Sequence, residues 1–153
     1  MRYSILITYY YNRDNIYEII NELKKYQKKN LEILIRNDNP NIQLKLKYKN
    51  LNIKIFNEKK KSLGELKSIN FLLEKAKGNY ISILADDDLI SVNVLNNLNK
   101  TKNFDAFFSL VSKEKKYFGL NSYLKIKKKE IIDYFLNKRF FLSGTVGTFY
   151  KKE

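Results

Sequence analysis

The chain has 153 residues, with 30 Lys and Arg against 16 Asp and Glu and a formal net charge of +14. That length suits one domain with a proper core, and the charge points to an anionic partner or to a lysine-rich solvated surface. With neither Cys nor His, disulfides, thiolate chemistry, imidazole bases and the commonest zinc sites are excluded, which leaves carboxylates, hydroxyls, Lys and Arg.

YSILITYY (3–10) is apolar and rich in β-formers, and predicts a strand. Asp14 is a good N-cap behind it, and Ile16, Ile19, Ile20 and Leu23 follow at helical spacing. LEILIRN (31–37) predicts a second strand closed by the turn cluster DNPN, and LNIKIFN (51–57) a third. Ser62 and Glu65 form an S-x-x-E capping box ahead of Leu66, Ile69, Leu73 and Ala76, an apolar stripe ending at Gly78. NYISILA (79–85) is continuously apolar, as suits a strand covered on both faces. Ser91 is placed to cap a short helix carrying Val92, Leu95 and Leu98, and FDAFFSLVS (104–112) predicts another buried strand. Beyond it come strand-like YFGLNSYL, a Lys-rich helix with Ile131, Ile132, Phe135 and Leu136 on one face, and β-rich FFLSGTVGTFY (140–150).

This rhythm predicts an open α/β sheet with parallel central strands and one domain over 1–153. Such sheets bind ligands at the carboxyl ends of their strands, where the strand order reverses. Three polar clusters fall on strand ends: TYYYNRD, RNDNP and ADDD. Adjacent carboxylates raise one another's pKa, and a nearby cation is the usual remedy. The run Asp86, Asp87, Asp88 therefore points to Mn²⁺ or Mg²⁺ with phosphate oxygens. The plainer alternative is three solvated turn residues before a helix.

SILITYYYNR, LEILIRNDNP and NFLLEKAKGNYISILADDD, in that order and spacing, resemble the family 2 glycosyltransferases of the GT-A fold. The resemblance implies a Rossmann-like, mainly parallel open mixed sheet flanked by helices. It divides the domain into a nucleotide-sugar half (1–100) and a partial acceptor-side half (101–153). It implies that Thr8 and a tyrosine of the 9–11 run, Tyr10 or Tyr11, line the base pocket and that Asp38 hydrogen-bonds the base. Asn70 would lie near the nucleotide, Asp86 would face ribose and donor sugar, and Asp87 would bind the metal of the DXD-type motif, with Asp88 a second candidate ligand.

The chain departs from the family pattern where the first strand end has one extra residue, where Ile69 replaces an arginine, and where Ala85 opens the acidic motif. The family's general base is expected beyond Glu153, since Glu153, Asp105 and Asp133 are better read as a terminal charge, a strand entry and a solvated helix residue. The resemblance thus implies an inverting, hexosyltransferase-type enzyme in surface polysaccharide synthesis, truncated before its base. It would take a UDP-sugar as donor and a glycan or lipid-linked acceptor. The alternatives are a basic nucleic-acid-binding module and a metal-dependent nucleotidyltransferase. No apolar run approaches the ~20 residues that cross a bilayer, and no leader pattern is visible. A cytoplasmic protein is expected, with peripheral contact at an anionic inner membrane face.

Overall fold

The computed structural model describes residues 1–11, 13–26, 28–88, 90–101, 104–109, 123–126 and 148–152. Its elements in chain order are β1 (Tyr3–Tyr9), α1 (Arg13–Lys24), β2 (Leu31–Asn37), β3 (Asn52–Asn57), α2 (Glu65–Lys75), β4 (Tyr80–Ala85), α3 (Val92–Lys100), β5 (Ala106–Ser109), β6 (Tyr123–Ile126) and β7 (Phe149–Lys151). They form one mixed sheet of seven strands in the order β3-β2-β1-β4-β7-β5-β6. β3, β2, β1 and β4 run parallel, whereas β7 pairs antiparallel with both β4 and β5, and β6 pairs antiparallel with β5.

The period of two along each strand sorts side chains onto two layers. Tyr3, Ile5, Ile7 and Tyr9 of β1 join Ile33 and Ile35 of β2 in a large core with Ile16, Ile19, Ile20 and Leu23 of α1, and Leu95 and Leu98 of α3. Leu6, Leu34 and Ile81 face the other way and pack on Leu72 of α2 and on Ala76. Both faces are therefore covered, which explains why β1, β2 and β4 read as unbroken apolar runs.

Two expectations need correction. Ser62 and Glu65 do not form a capping box: α2 begins after Gly64 (φ 84°), which offers no side-chain cap, and Ser62 bonds elsewhere. Of the stripe Leu66, Ile69, Leu73 and Ala76, only Ala76 is buried, and Leu73 packs half-buried on the smaller core. The buried α2 residues are Ser68 and Leu72, the latter in the smaller core, while Leu66 is 77% exposed. Asp14 lies in the first turn of α1 rather than before it. Ser91 does cap α3, its Oγ accepting from the Asn93 N–H at 3.2 Å.

Gly78 ends no helix, since α2 stops at Lys75. A Cβ there would lie 2.6 Å from the Ser4 nitrogen and 2.8 Å from the Tyr3 carbonyl carbon, so the glycine permits close approach to β1. Residues 42–49 carry no regular secondary structure, yet Ile42, Leu44, Leu46 and Tyr48 pack on the larger core while Gln43, Lys45, Lys47 and Lys49 are exposed. The Lys-rich helix around Ile131 to Leu136, Asp133, Glu153 and most of the 117–124 and 140–150 strand segments lie outside the described residues.

Candidate functional site

Strand order reverses between β1 and β4: from β1 the chain steps to β2 and β3 on one side, then returns to β4 on the other. At such a switch point the loops leave in opposite directions and open a crevice at the carboxyl ends. The register sets Thr8 beside Ala85 and Tyr9 beside Asn37, so the three polar strand ends lie at one level. Between them is a cavity of about 340 Å³. Its walls are Thr8 and Tyr9 of β1 with Tyr10 just after it, Asp38 after β2, Ser62 and Gly64 from the loop before α2, Glu65 and Ser68 from α2, and Ala85 of β4 with Asp86 just after it.

Asp38 is buried and organises one wall. Its Oδ2 accepts from the Ser62 hydroxyl at 2.6 Å and the Gly64 N–H at 2.8 Å, and its Oδ1 accepts from the Leu63 N–H at 2.8 Å. Burial pushes its carboxyl up, but these hydrogen bonds outweigh it and hold the group below the usual Asp range. Ser68 also favours the charged form, although its hydroxyl stands outside strict hydrogen-bond geometry. Close by, Arg36 pairs with Glu58 and lies 4.7 Å from the Phe71 ring centre, fixing the end of β2 against α2.

Asp86 performs a matching task on the opposite wall. Its Oδ2 accepts the N–H groups of Tyr10 and Tyr11, both at 2.9 Å, which ties the loop after β1 to the end of β4. Asp88 turns back on its own strand, accepting from the Ala85 N–H at 2.8 Å. Burial pushes its carboxyl up, the Ala85 bond opposes this, and the charges of Asp87, Glu65 and Asp86 push it further up. Asp87 between them is exposed.

The structure thus brings Thr8, Tyr10, Asp38 and Asp86 together around the cavity, with Asp87 and Asp88 in the adjoining turn. Tyr11 contributes its N–H to Asp86, while its side chain is 75% exposed and outside the cavity walls. Asn70 is exposed on α2 and is not a wall residue. Two wall residues, Gly64 and Ser68, were absent from the sequence reading, and Ser62 and Glu65 entered it only as a capping box. Glu65 and Ser68, one turn apart on α2, share a face, and that spacing was the available signal.

All groups bordering the cavity offer oxygen or backbone N–H, which suits a hard divalent cation and excludes a soft one. Among the described residues no group of three or more carboxylates converges as a ready-made cage. Mg²⁺ and Mn²⁺ sites in general take one or two carboxylates and complete their shell with phosphate and water. Among the described residues no helix is long and apolar enough to cross a membrane.

A family model described as glycosyl transferase family 2 matches residues 4–149. A comparison with curated proteins returns no match. Among solved structures, S. aureus TarS 1-349 superposes with a TM-score of 0.67 at 17% identity, over 99% of this chain and 47% of that one. The same protein in complex with UDP-GlcNAc gives 0.60 at 20% identity, over 80% and 37%. The mannosyltransferase PcManGT from Pyrobaculum calidifontis, in complex with GDP-Man and Mn²⁺, gives 0.58 at 17% identity, over 73% and 36%. At these identities the likeness establishes the fold, a GT-A sheet. The chain spans less than half the length of each of these structures.

Proposed function

The chain belongs to glycosyl transferase family 2, and from that premise we propose that it binds a nucleotide-diphospho-sugar in the cavity between β1, β2 and β4 and transfers the sugar with inversion. A UDP-linked hexose is the proposed donor and a surface glycan or lipid-linked chain the acceptor, with peripheral contact at an anionic membrane. The carrying observation is that three strand ends distant in sequence meet around one cavity at the switch point of the sheet. Its volume of about 340 Å³ lies within the range of small-ligand pockets.

In this reading Thr8 and Tyr10 border the base, with Tyr11 at the rim, and Asp38 presents its remaining lone pair to the base while holding the loop over it. Asp86 faces the ribose and donor sugar. Asp87 holds the divalent cation, and Asp88 braces the turn behind it as the second candidate ligand. Bound there, Mn²⁺ or Mg²⁺ neutralises charge on the departing diphosphate. An inverting transfer also needs a carboxylate to take the acceptor hydroxyl proton, and no cavity residue is assigned that step. Asn70, outside the walls, is given no role. Residues 1–100 form the donor half of the domain and 101–153 belong to the acceptor side.

A ligand that binds only the native state raises stability by mass action. UDP with Mn²⁺, at about a hundred times its Kd, is expected to raise Tm by about 5–10 °C. UDP alone should give a smaller shift, and Asp87→Ala should remove the metal-dependent part. Absence of a metal-dependent shift with every nucleoside diphosphate would overturn the proposal.

A further inference from the structure

The four parallel strands all begin at the end of the sheet opposite the cavity, and cationic residues lead into three of them. Arg2 precedes β1, Lys28 and Lys29 precede β2, and Lys77 precedes β4; all four are exposed. The antiparallel β7 finishes at the same end, setting Lys151 beside Tyr80. Arg2, Lys28 and Lys29 border an open depression of about 600 Å³ shared with Met1, Asn30 and Asn79, and among the described residues no carboxylate lines it. The described acids nearby leave Arg2, Lys28 and Lys29 without an ion pair, although one of them offsets Lys151. Glu32 is buried, with its carboxylate accepting from Ser4 Oγ at 2.5 Å and the Lys77 N–H at 2.6 Å, while Asp105 lies 3.9 Å from Lys151.

We propose that this end of the sheet docks on an anionic lipid bilayer. The inference gives the membrane contact named above a definite face, and it rests on charge placement alone, independent of donor binding. Three features favour a bilayer over a nucleic acid. Of the aromatic residues described at this end, Tyr3, Tyr26, Tyr80 and Phe104 are buried and Tyr150 alone is exposed, so there is no run of rings on which successive bases stack. Lysine outnumbers arginine, and its ammonium acts as a mobile point charge suited to a diffuse field rather than to bidentate phosphate readout. The cations are also spread over the starts of several neighbouring strands rather than along a single channel.

Docking this way has a consequence for the proposed acceptor. β1 has seven residues, so the cavity stands about 20 Å from the basic end. An acceptor must present its reactive end at that height, which suits the free end of an extended glycan better than a sugar attached at the lipid surface.

Cosedimentation tests this with vesicles of phosphatidylcholine alone or mixed with phosphatidylglycerol. The full chain is expected to bind only the anionic vesicles. Removing three charges, as Arg2→Gln with Lys28→Gln and Lys29→Gln, should weaken binding about 100-fold. The same loss of three charges at the cavity end, as Lys59→Gln with Lys60→Gln and Lys61→Gln, should leave most of the binding intact. Circular dichroism melts establish that each variant is folded, and the double variant Lys28→Gln with Lys29→Gln carries the test if the triple variant is not. Equal weakening by the two triple variants would overturn the assignment. So would tighter binding to a single-stranded oligonucleotide than to the anionic vesicles. UDP binding should be the same in the basic-end variant, which separates failure here from failure of the donor reading.

Discussion

Asp38 joins two roles in one carboxylate. Its oxygens accept one hydroxyl and two backbone N–H groups at 2.6–2.8 Å, so the residue fixes the loop 62–64 before any ligand arrives. Removing a buried acceptor strands its donors, and Asp38→Ala is expected to lower unfolding free energy by about 2–4 kcal/mol, read from urea denaturation. The pH dependence has a definite sign. A folded-state pKa held below the unfolded value gives stability that is full above about 3.9 and is lost as pH falls through the lower folded value. Asp38→Asn should therefore be less stable at neutral pH, and its stability should fall less than wild type's below pH ~4. The sequence offered a place in the turn cluster DNPN or, through the resemblance, a base contact for this residue. It did not disclose the loop clamp, because the donors lie 24 to 26 positions away.

At the scale of elements, the strands were legible and the helix faces less so. β1, β2, β3 and β4 fall within a residue or so of their expected bounds, since a run of Ile, Leu and Val between polar turns has few other readings. α2 was placed correctly but turned the wrong way. Its apolar stripe suggested a buried Leu66, whereas Ser68 and Leu72 are buried, because the first turns of the helix serve the cavity wall. Residues 42–49 showed their alternation in sequence, with Lys at every second position from 45 to 49, yet make no ladder and were not read as core cover. Gly78 offers the clearest test at this scale. A methyl group there meets Ser4 Oγ and the backbone of Tyr3 and Ser4, and backbone cannot yield as a side chain can. Gly78→Ala is expected to cost about 2–4 kcal/mol by parting the α2–β4 connection from β1. A thermal or urea melt with unchanged stability would remove this account of the glycine.

The whole molecule is polarised along its strands. One end gathers Asp38, Asp86, Asp87 and Asp88 around and beside a cavity, and the other gathers Arg2, Lys28, Lys29 and Lys77. The three polar strand ends announce the first end in sequence, because a parallel sheet brings all carboxyl ends to one side. The second has little such notice, since scattered lysines become a face only once strand order is known. The place of β7 between β4 and β5 was likewise hidden. A three-residue strand paired about 70 positions away leaves no local signature. The most direct test of the central claim is a diffraction experiment on crystals soaked with UDP and Mn²⁺, using the anomalous signal of manganese. The account predicts a manganese peak beside Asp87, with the nucleotide between Thr8, Tyr10, Asp38 and Asp86. Nucleotide bound instead at the basic end, or a manganese peak remote from the 86–88 turn, would contradict it.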